Sequence, residues 1–134
     1  MPFQAAYDES HGVLVFRFEG VAGAEDVEPF IQEALRLAGE HQCRRSLSDF
    51  RGAKLGLSTS EVFKLTERLQ ASGIDETWKR AILIDSQTSN YGFHERVARE
   101  GGHTVRVFTN HDDALNWLNW QPIPEEQLGS DLAG

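Results

Sequence analysis

Residues 58–84, with the sequence STSEVFKLTERLQASGIDETWKRAILI, hold the pattern that decides the fold class. Ser58 and Glu61 have the spacing of a capping box, so a helix should begin at this point. Its buried stripe follows at helical spacing and consists of Val62, Leu65, Thr66 and Leu69. Gly73 ends the helix, and the apolar run from Ala81 to Ile84 is typical of a strand covered on both faces. A helix that leads into such a strand indicates a parallel sheet with helical crossovers.

The rest of the chain alternates between strand and helix patterns. Before the quoted stretch we predict strands over 3–8 and 13–19, a helix from an N-cap at Glu25 or Asp26 to Gly39, and a strand over 45–50. After it we predict a helix over 91–101, a strand over 104–108 and a short helix over 112–120. The first two strands form a hairpin, with the second at or near a sheet edge. The predicted order is β-β-α-β-α-β-α-β-α, an α/β fold.

The composition is that of one ordinary globular domain. The chain has 134 residues, of which 40% are hydrophobic and 25% charged. We assign residues 1–120 to a single domain and 121–134 to a flexible C-terminal tail. The net charge of −8 argues against nucleic-acid binding. A single cysteine, Cys43, fits a reducing compartment, and no apolar run approaches the ~20 residues of a membrane span, so we expect a cytoplasmic protein.

Motifs of cofactor binding and catalysis are absent from the sequence. It contains no Gly-x-Gly-x-x-Gly, Walker A, Gly-x-Ser-x-Gly or His-Glu-x-x-His pattern. The histidines lie on separate predicted elements without metal-ligand spacing, and we interpret them as surface or capping residues: His11, His41, His94, His103 and His111. We therefore predict no cofactor and no metal.

The predicted topology points to one candidate ligand site. Ligands of open parallel sheets lie beyond the carboxyl ends of the strands, and here Asp49, Arg51 and Asp85 follow or close those strands. Tyr91 and His94, near the start of the next predicted helix, open at the same edge. In one interpretation a carboxylate acts as a base while Arg51 holds an anion. In the other, both carboxylates are structural, bonding loop amides and pairing with Arg51.

Two further features each leave two interpretations open. The loop over 51–57 could receive a phosphate or carboxylate on its amides, or its helix cap could already be filled by Ser58. Trp117 and Trp120, three residues apart on the last predicted helix, form either a self-association or partner surface or part of the core. The phenylalanines at helical spacing are interpreted as core residues: Phe30, Phe63 and Phe93.

Three segments together resemble the SpoIIAA-like, STAS-related domains, and more narrowly the stand-alone bacterial proteins of STAS/SEC14 type. Ser-Asp-Phe-Arg-Gly-Ala over 48–53 closes the third strand, and Tyr91-Gly92 opens the third helix. Val-Arg-Val-Phe over 105–108 is followed by Asp-Ala-Leu-Asn-Trp-Leu over 113–118. The resemblance covers about residues 13–118. It implies a mixed sheet of four or five strands with helices mostly on one face, and binding or regulation rather than catalysis.

The resemblance also implies two kinds of partner. In anti-sigma-factor antagonists the helix after the third strand opens with Asp-Ser-Ser-Gly, whose serine a partner kinase phosphorylates. The matching stretch here, Leu-Ser-Thr-Ser-Glu over 57–61, lacks that aspartate and glycine but keeps the hydroxyls of Ser58, Thr59 and Ser60. The CRAL-TRIO side of the resemblance implies an apolar ligand between sheet and helices.

Three functional hypotheses follow from the sequence. The first is a non-enzymatic binding or regulatory module, a homodimer, with a small apolar or anionic ligand near Asp49, Arg51, Asp85, Tyr91 and His94. The second is a protein-interaction domain switched by phosphorylation at Ser58, Thr59 or Ser60. The third is a small hydrolase or isomerase that uses the two carboxylates.

Overall fold

The computed structural model describes residues 3–85 and 89–120, apart from the side chains of Ser89 and Asn90. Its strands are β1 (Phe3–Asp8), β2 (Val13–Phe18), β3 (Gly20–Ala22), β4 (Arg45–Asp49), β5 (Ala53–Leu55), β6 (Lys79–Leu83) and β7 (Thr104–Phe108). Its helices are α1 (Val27–His41), α2 (Thr59–Ser72), α3 (Ser89–Glu100) and α4 (His111–Asn119), with a 3-10 turn at Ala24–Asp26 before α1. The predicted C-terminal tail, residues 121–134, lies outside the described residues.

Five strands form one mixed sheet in the order β1-β2-β4-β6-β7. β1 runs antiparallel to β2, and every later neighbour is parallel. The predicted mixed sheet is confirmed, and β2 lies next to the edge as its pattern indicated. The helical connections between β4, β6 and β7 are those that parallel strands require.

The helices are divided unequally between the two faces of the sheet. Residues of α1, α2 and α3 pack with the alternate β2 side chains Leu14, Phe16 and Phe18. On the opposite face, α4 places Ala114, Leu115 and Leu118 against Val13, Leu47, Ala81 and Leu83. The prediction of helices mostly on one face is therefore confirmed. No helix in the described part of the chain is long and apolar enough to cross a membrane.

Capping residues in the sequence predict both ends of α2 but not the end of α1. The predicted capping box of α2 is present, with the Glu61 amide donating to Ser58 Oγ at 3.2 Å, and Gly73 ends the helix at φ 100°. The predicted stop of α1 at Gly39 is wrong, because the helix runs on to His41 and ends at Gln42 with φ 50°. The His41 ring stacks on Tyr7 with centroids 4.2 Å apart, a contact that holds the extra turn.

Two short strands were not predicted. β3 and β5 pair in parallel over three residues each, so part of the loop expected over 51–57 is in fact a strand. Three residues are too few to display a strand's alternation, and this explains the omission. Gly56 lies close to β3 just after β5: a Cβ there would be 2.4 Å from Val21 Cγ1, so a larger residue would force the Val21 side chain to move.

Several side chains lie at a different depth from the one predicted. Phe63 is 49% exposed and contacts the half-buried Phe93 outside the main core, whereas Phe30 packs against that core as expected. His94 and His103 are buried rather than on the surface. His94 faces inward from α3, and His103, just before β7, lies with its Nε2 3.1 Å from the carbonyl oxygen of Thr66. Residue type does not reveal either position.

Candidate functional site

A cavity of about 70 Å³ lies between the sheet and helices α1, α2 and α3. Most of its wall is apolar, with Phe30 from α1, Leu65 and Leu69 from α2, and Ile82 from β6. Polar side chains line it from three places: Ser48 and Arg80 from the sheet, Tyr91 and His94 from α3, and Asp26 from the turn before α1. A mainly apolar cavity with a few convergent polar groups is the usual form of a small-molecule site.

Strand alternation explains how Arg80 reaches this cavity. Arg80 and Ile82 are two residues apart on β6 and therefore share a face, while Ala81 and Leu83 point to the α4 side. β6 is a central strand of the sheet, so a side chain at this position is covered by α1–α3. Arg80 is consequently only 7% exposed.

The guanidinium of Arg80 is buried with two nitrogens unpaired. Neither Nε nor Nη2 has a hydrogen-bond partner among the described residues. Burial lowers the pKa of Arg80 to about 10, which leaves the side chain protonated at neutral pH. The cavity wall therefore carries a positive charge at Arg80, and Asp26 adds a carboxylate to the same wall.

His94 is the second buried polar group in the wall. It is 4% exposed, and its Nδ1 has no partner in the described part of the chain. Burial lowers its pKa to about 3, and the nearby charges of Arg80 and His103 act in the same direction. His94 is therefore neutral at pH 7 and can either donate or accept a hydrogen bond, depending on its tautomer.

Tyr91 fixes the start of α3 against the short second sheet. Tyr91 and His94 lie three residues apart, so they share one face of the helix. The Tyr91 hydroxyl donates to the carbonyl oxygen of Ala53 at 3.2 Å, and its ring packs against Phe50. Of the predicted site residues, Tyr91 and His94 are the two that line this cavity.

Asp49 and Arg51 form an ion pair away from the cavity. Arg51 donates from Nε and Nη2 to the two Asp49 oxygens at 3.0 and 2.9 Å, and its amide donates at 3.0 Å. Arg17 adds a contact of 3.7 Å. Burial acts to raise the pKa of Asp49, but the Arg51 hydrogen bonds and the two arginine charges outweigh it, so the pKa lies below its usual value. This carboxylate has the environment of a structural group rather than a general base.

Asp85 also has a local structural contact. Its Oδ2 accepts the Gly52 amide at 2.7 Å, and the residue is exposed. Gly52 has φ 81°, so this bond holds the left-handed turn that leads into β5. In the described part of the wall, the cavity is lined by neither Asp85 nor the Asp49–Arg51 pair.

The three hydroxyls at the start of α2 are exposed. Ser58 Oγ accepts the Glu61 amide and lies 3.3 Å from Ser60 Oγ, while Glu61 Oε1 accepts the Ser58 amide at 2.9 Å. The helix N-terminus thus already holds a carboxylate. A phosphate on Ser58 would displace this cap and approach the charge of Glu61, whereas Thr59 and Ser60 are outside the reciprocal pair.

The two C-terminal tryptophans differ in exposure. Trp120 is 63% exposed, whereas Trp117 is half-buried and packs against Phe108. The Lys79 ammonium lies 4.5 Å from the Trp117 ring centroid and donates to the carbonyl oxygens of both tryptophans. A cation at the carboxyl end of α4 stabilises the helix, because that end carries the partial negative charge of the helix dipole. Trp117 therefore belongs to the packing of α4, and Trp120 presents an indole to solvent.

Comparisons with known proteins rest on structure alone. No family model matches the chain, and no curated protein matches its sequence significantly. A solved structure of an uncharacterized DUF3478-family protein from Shewanella loihica PV-4, with a SpoIIAA-like fold, is 22% identical. The match covers 87% of this chain and 91% of that one, with a TM-score of 0.55. The chain has a SpoIIAA-like fold.

A second similar structure is that of the anti-sigma factor antagonist SpoIIAA in its unphosphorylated form. It is 13% identical and covers 98% of both chains, with a TM-score of 0.48. The assignment of the SpoIIAA-like fold rests on the first of these structures. It agrees with the resemblance that the sequence indicated.

Within this SpoIIAA-like fold, sequence reasoning missed the main charged group of the cavity. Arg80 directly precedes the predicted apolar strand, and its spacing from Ile82 could have placed it on the covered face. Ser48 was noted only as part of the resemblance. No cluster of three or more potential metal ligands occurs in the described ranges.

Proposed function

We propose that this protein is a non-enzymatic binding module that holds a small molecule in the cavity between its sheet and α1–α3. The observation that carries the proposal is a mainly apolar cavity with buried, unpartnered polar atoms of Arg80 and His94 in its wall. Buried polar groups normally find partners, and a bound molecule would supply them. The SpoIIAA-like fold is consistent with a regulatory role for such binding.

The cavity volume limits the size of the ligand. At about 70 Å³ it has roughly half the volume of an engineered 150 Å³ cavity that binds benzene. A long lipid chain does not fit this space. A compound with a short apolar body fits it, in keeping with the small apolar or anionic ligand expected from the sequence.

The carboxylate-dependent enzyme is less well supported. Both Asp49 oxygens are engaged by arginine, and its pKa is lowered rather than raised towards neutrality. Asp85 accepts a backbone amide at the surface. A general base needs a pKa nearer the working pH, so these contacts favour binding over acid–base catalysis.

The phosphorylation switch remains an alternative at Thr59 and Ser60, whose hydroxyls are exposed. Phosphorylation of Ser58 is disfavoured by its capping bond and by Glu61. The intact mass of protein from its native host tests this alternative. A species heavier by one phosphate would support the switch, and its absence would count against it.

The binding proposal is tested by mass spectrometry of protein purified gently from its own host. A mass excess under native conditions that disappears on denaturation is expected. Ala22→Leu adds bulk at the cavity wall, and Ala114→Leu makes the same change in the core of the opposite face. Loss of the excess in Ala22→Leu alone would support the proposal. An excess that survives Ala22→Leu, or none in the wild type, would contradict it.

A homodimer and a cytoplasmic location also remain proposals. Trp120 offers one large exposed apolar side chain for self-association, next to the partly buried Trp117. The single cysteine agrees with a reducing compartment.

A further inference from the structure

Arginine can bind a carboxylate through Nε and Nη2, and in Arg80 both of these nitrogens are unpaired within the described part of the chain. Elsewhere in this chain, Arg51 binds Asp49 through Nε and Nη2, and Arg68 binds Glu28 through the same two atoms. In Arg80, Nε and Nη2 are buried and have no partner among the described residues. The planar fork matches two carboxylate oxygens, which gives a geometrically specific bidentate bond.

An unpaired guanidinium in this position destabilises the folded protein when the cavity holds no ligand. Removing a charge from water costs free energy that only a counter-charge and hydrogen bonds recover. The side chain is nine-tenths buried and stays protonated at neutral pH. A bound anion would supply the negative counter-charge and the hydrogen-bond acceptors that the Arg80 guanidinium lacks.

We propose that the cavity binds a small monocarboxylate, whose two oxygens accept hydrogen bonds from Nε and Nη2 of Arg80 and whose short apolar body packs against Phe30, Leu65 and Leu69. This inference rests on the proposed binding function and names its ligand class. It assigns Arg80 as the determinant of the ligand's charge.

The cavity wall favours a carboxylate over a phosphate. A phosphate has more charge and more oxygens to satisfy, whereas the apolar wall supplies few further donors. The other charged residue in the described part of the wall is Asp26, whose Oδ2 accepts the Gly23 amide at 2.9 Å, so a singly charged ligand meets less repulsion there than a phosphate would. Neutral His94 adds an unpartnered Nδ1 without adding charge. An inorganic anion would leave the apolar wall without a partner.

Acetate and acetamide make a matched pair of probes, because they have nearly the same shape, are small enough for the cavity, and only acetate is charged. Both are titrated into the full chain while NMR signals of Leu65 and Ile82 are followed. We expect acetate to bind at least about tenfold more tightly than acetamide, because its hydrogen bonds join two charged groups. This comparison uses only the wild-type protein.

Arg80→Met removes the guanidinium and keeps an unbranched side chain. We expect it to bind acetate no better than acetamide, whereas Arg36→Met, at an exposed site on α1, should keep the wild-type preference. If Arg80→Met does not fold, the wild-type comparison decides alone. Equal binding of the two probes to the wild type would overturn the carboxylate inference and leave the binding function standing. Binding of neither probe would overturn both.

Discussion

Among the described residues, buried charged and titratable side chains differ in whether the fold supplies their partners. Asp49 is surrounded by arginine donors and is satisfied within the chain. Arg80 and His94 are equally deep but keep unpaired atoms beside a cavity. The first arrangement stabilises the fold, and the second would be completed by the ligand that we propose. Burial therefore identifies a functional group only when the missing partners are also known.

His94 should make the protein acid-sensitive above the range in which carboxylates titrate. Its pKa is lowered to about 3 in the fold against ~6.5 when unfolded, so the unfolded state binds the extra proton first. The His94 contribution is fully present at pH 7 and is lost as pH falls through 6.5 towards 3. Between pH 7 and pH 5 we expect it to reduce the free energy of unfolding by about 2 kcal/mol.

Urea unfolding of His94→Gln at the two pH values measures this contribution. The variant should lose less stability than the wild type on acidification, keeping the part due to His103, whose pKa burial also lowers. His111→Gln, at an exposed position, is the control and should match the wild type. An identical pH dependence in His94→Gln and the wild type would contradict the prediction.

Asp49→Asn should lower the free energy of unfolding at pH 7 by about 1–3 kcal/mol, because Arg51 and Arg17 lose their buried counter-charge. The folded-state pKa of Asp49 lies below the ordinary value, so its contribution is present above that value and is lost as pH falls through the folded pKa. The difference from wild type should therefore shrink in strong acid. Denaturant unfolding checks this, with the exposed Asp112→Asn as control. Unchanged stability in Asp49→Asn would argue that the pair is not structural.

At the scale of elements, local signals and tertiary contacts compete at helix ends. α2 begins and ends where its capping box and Gly73 predict. α1 passes Gly39 because His41, two residues further on, stacks on Tyr7. A glycine costs a helix about 1 kcal/mol, which contacts in the following turn can offset.

Ser58→Ala should destabilise the protein by about 1 kcal/mol, because the Glu61 amide loses its acceptor. Ser60→Ala is the matched control: Ser60 is exposed and its hydroxyl lies 3.3 Å from Ser58 Oγ, away from the capping bond to the Glu61 amide, so its change should stay within about 0.5 kcal/mol. Thermal or urea unfolding measures both. Equal losses in the two variants would show that the capping bond is not the source of the effect.

At the scale of the whole molecule, we predict that the chain self-associates through Trp120. Trp120 is exposed while α4 covers its face of the sheet, so a dimer through this region would bury an indole without unfolding α4. Light scattering should give twice the 15.0 kDa chain mass, and Trp120→Ser should weaken the dimer at least about tenfold. Phe63→Ser, at an exposed aromatic elsewhere, is the control. A wild-type protein that stays monomeric at high concentration would contradict the prediction.

The sequence predicted the large elements because their signals are periodic and local. β1 and β7 have the predicted bounds, and the main order of strands and helices is confirmed. β3 and β5 were not predicted, because each has only three residues. Phe63 was wrongly predicted to be a core residue, because residue type alone does not tell the two sides of a helix apart. The candidate site was predicted as one group at one sheet edge.

The tertiary structure separates the predicted site residues from one another. Strand alternation points Asp49 to the α4 side of the sheet and Arg80 to the side covered by α1–α3, while Asp85 bonds Gly52 at the surface. The sequence by itself determined the fold class, through hydrophobic period and capping chemistry that act within a few residues. Only the tertiary structure decided which polar side chains share a cavity, because that depends on sheet register and on which helices cover each face.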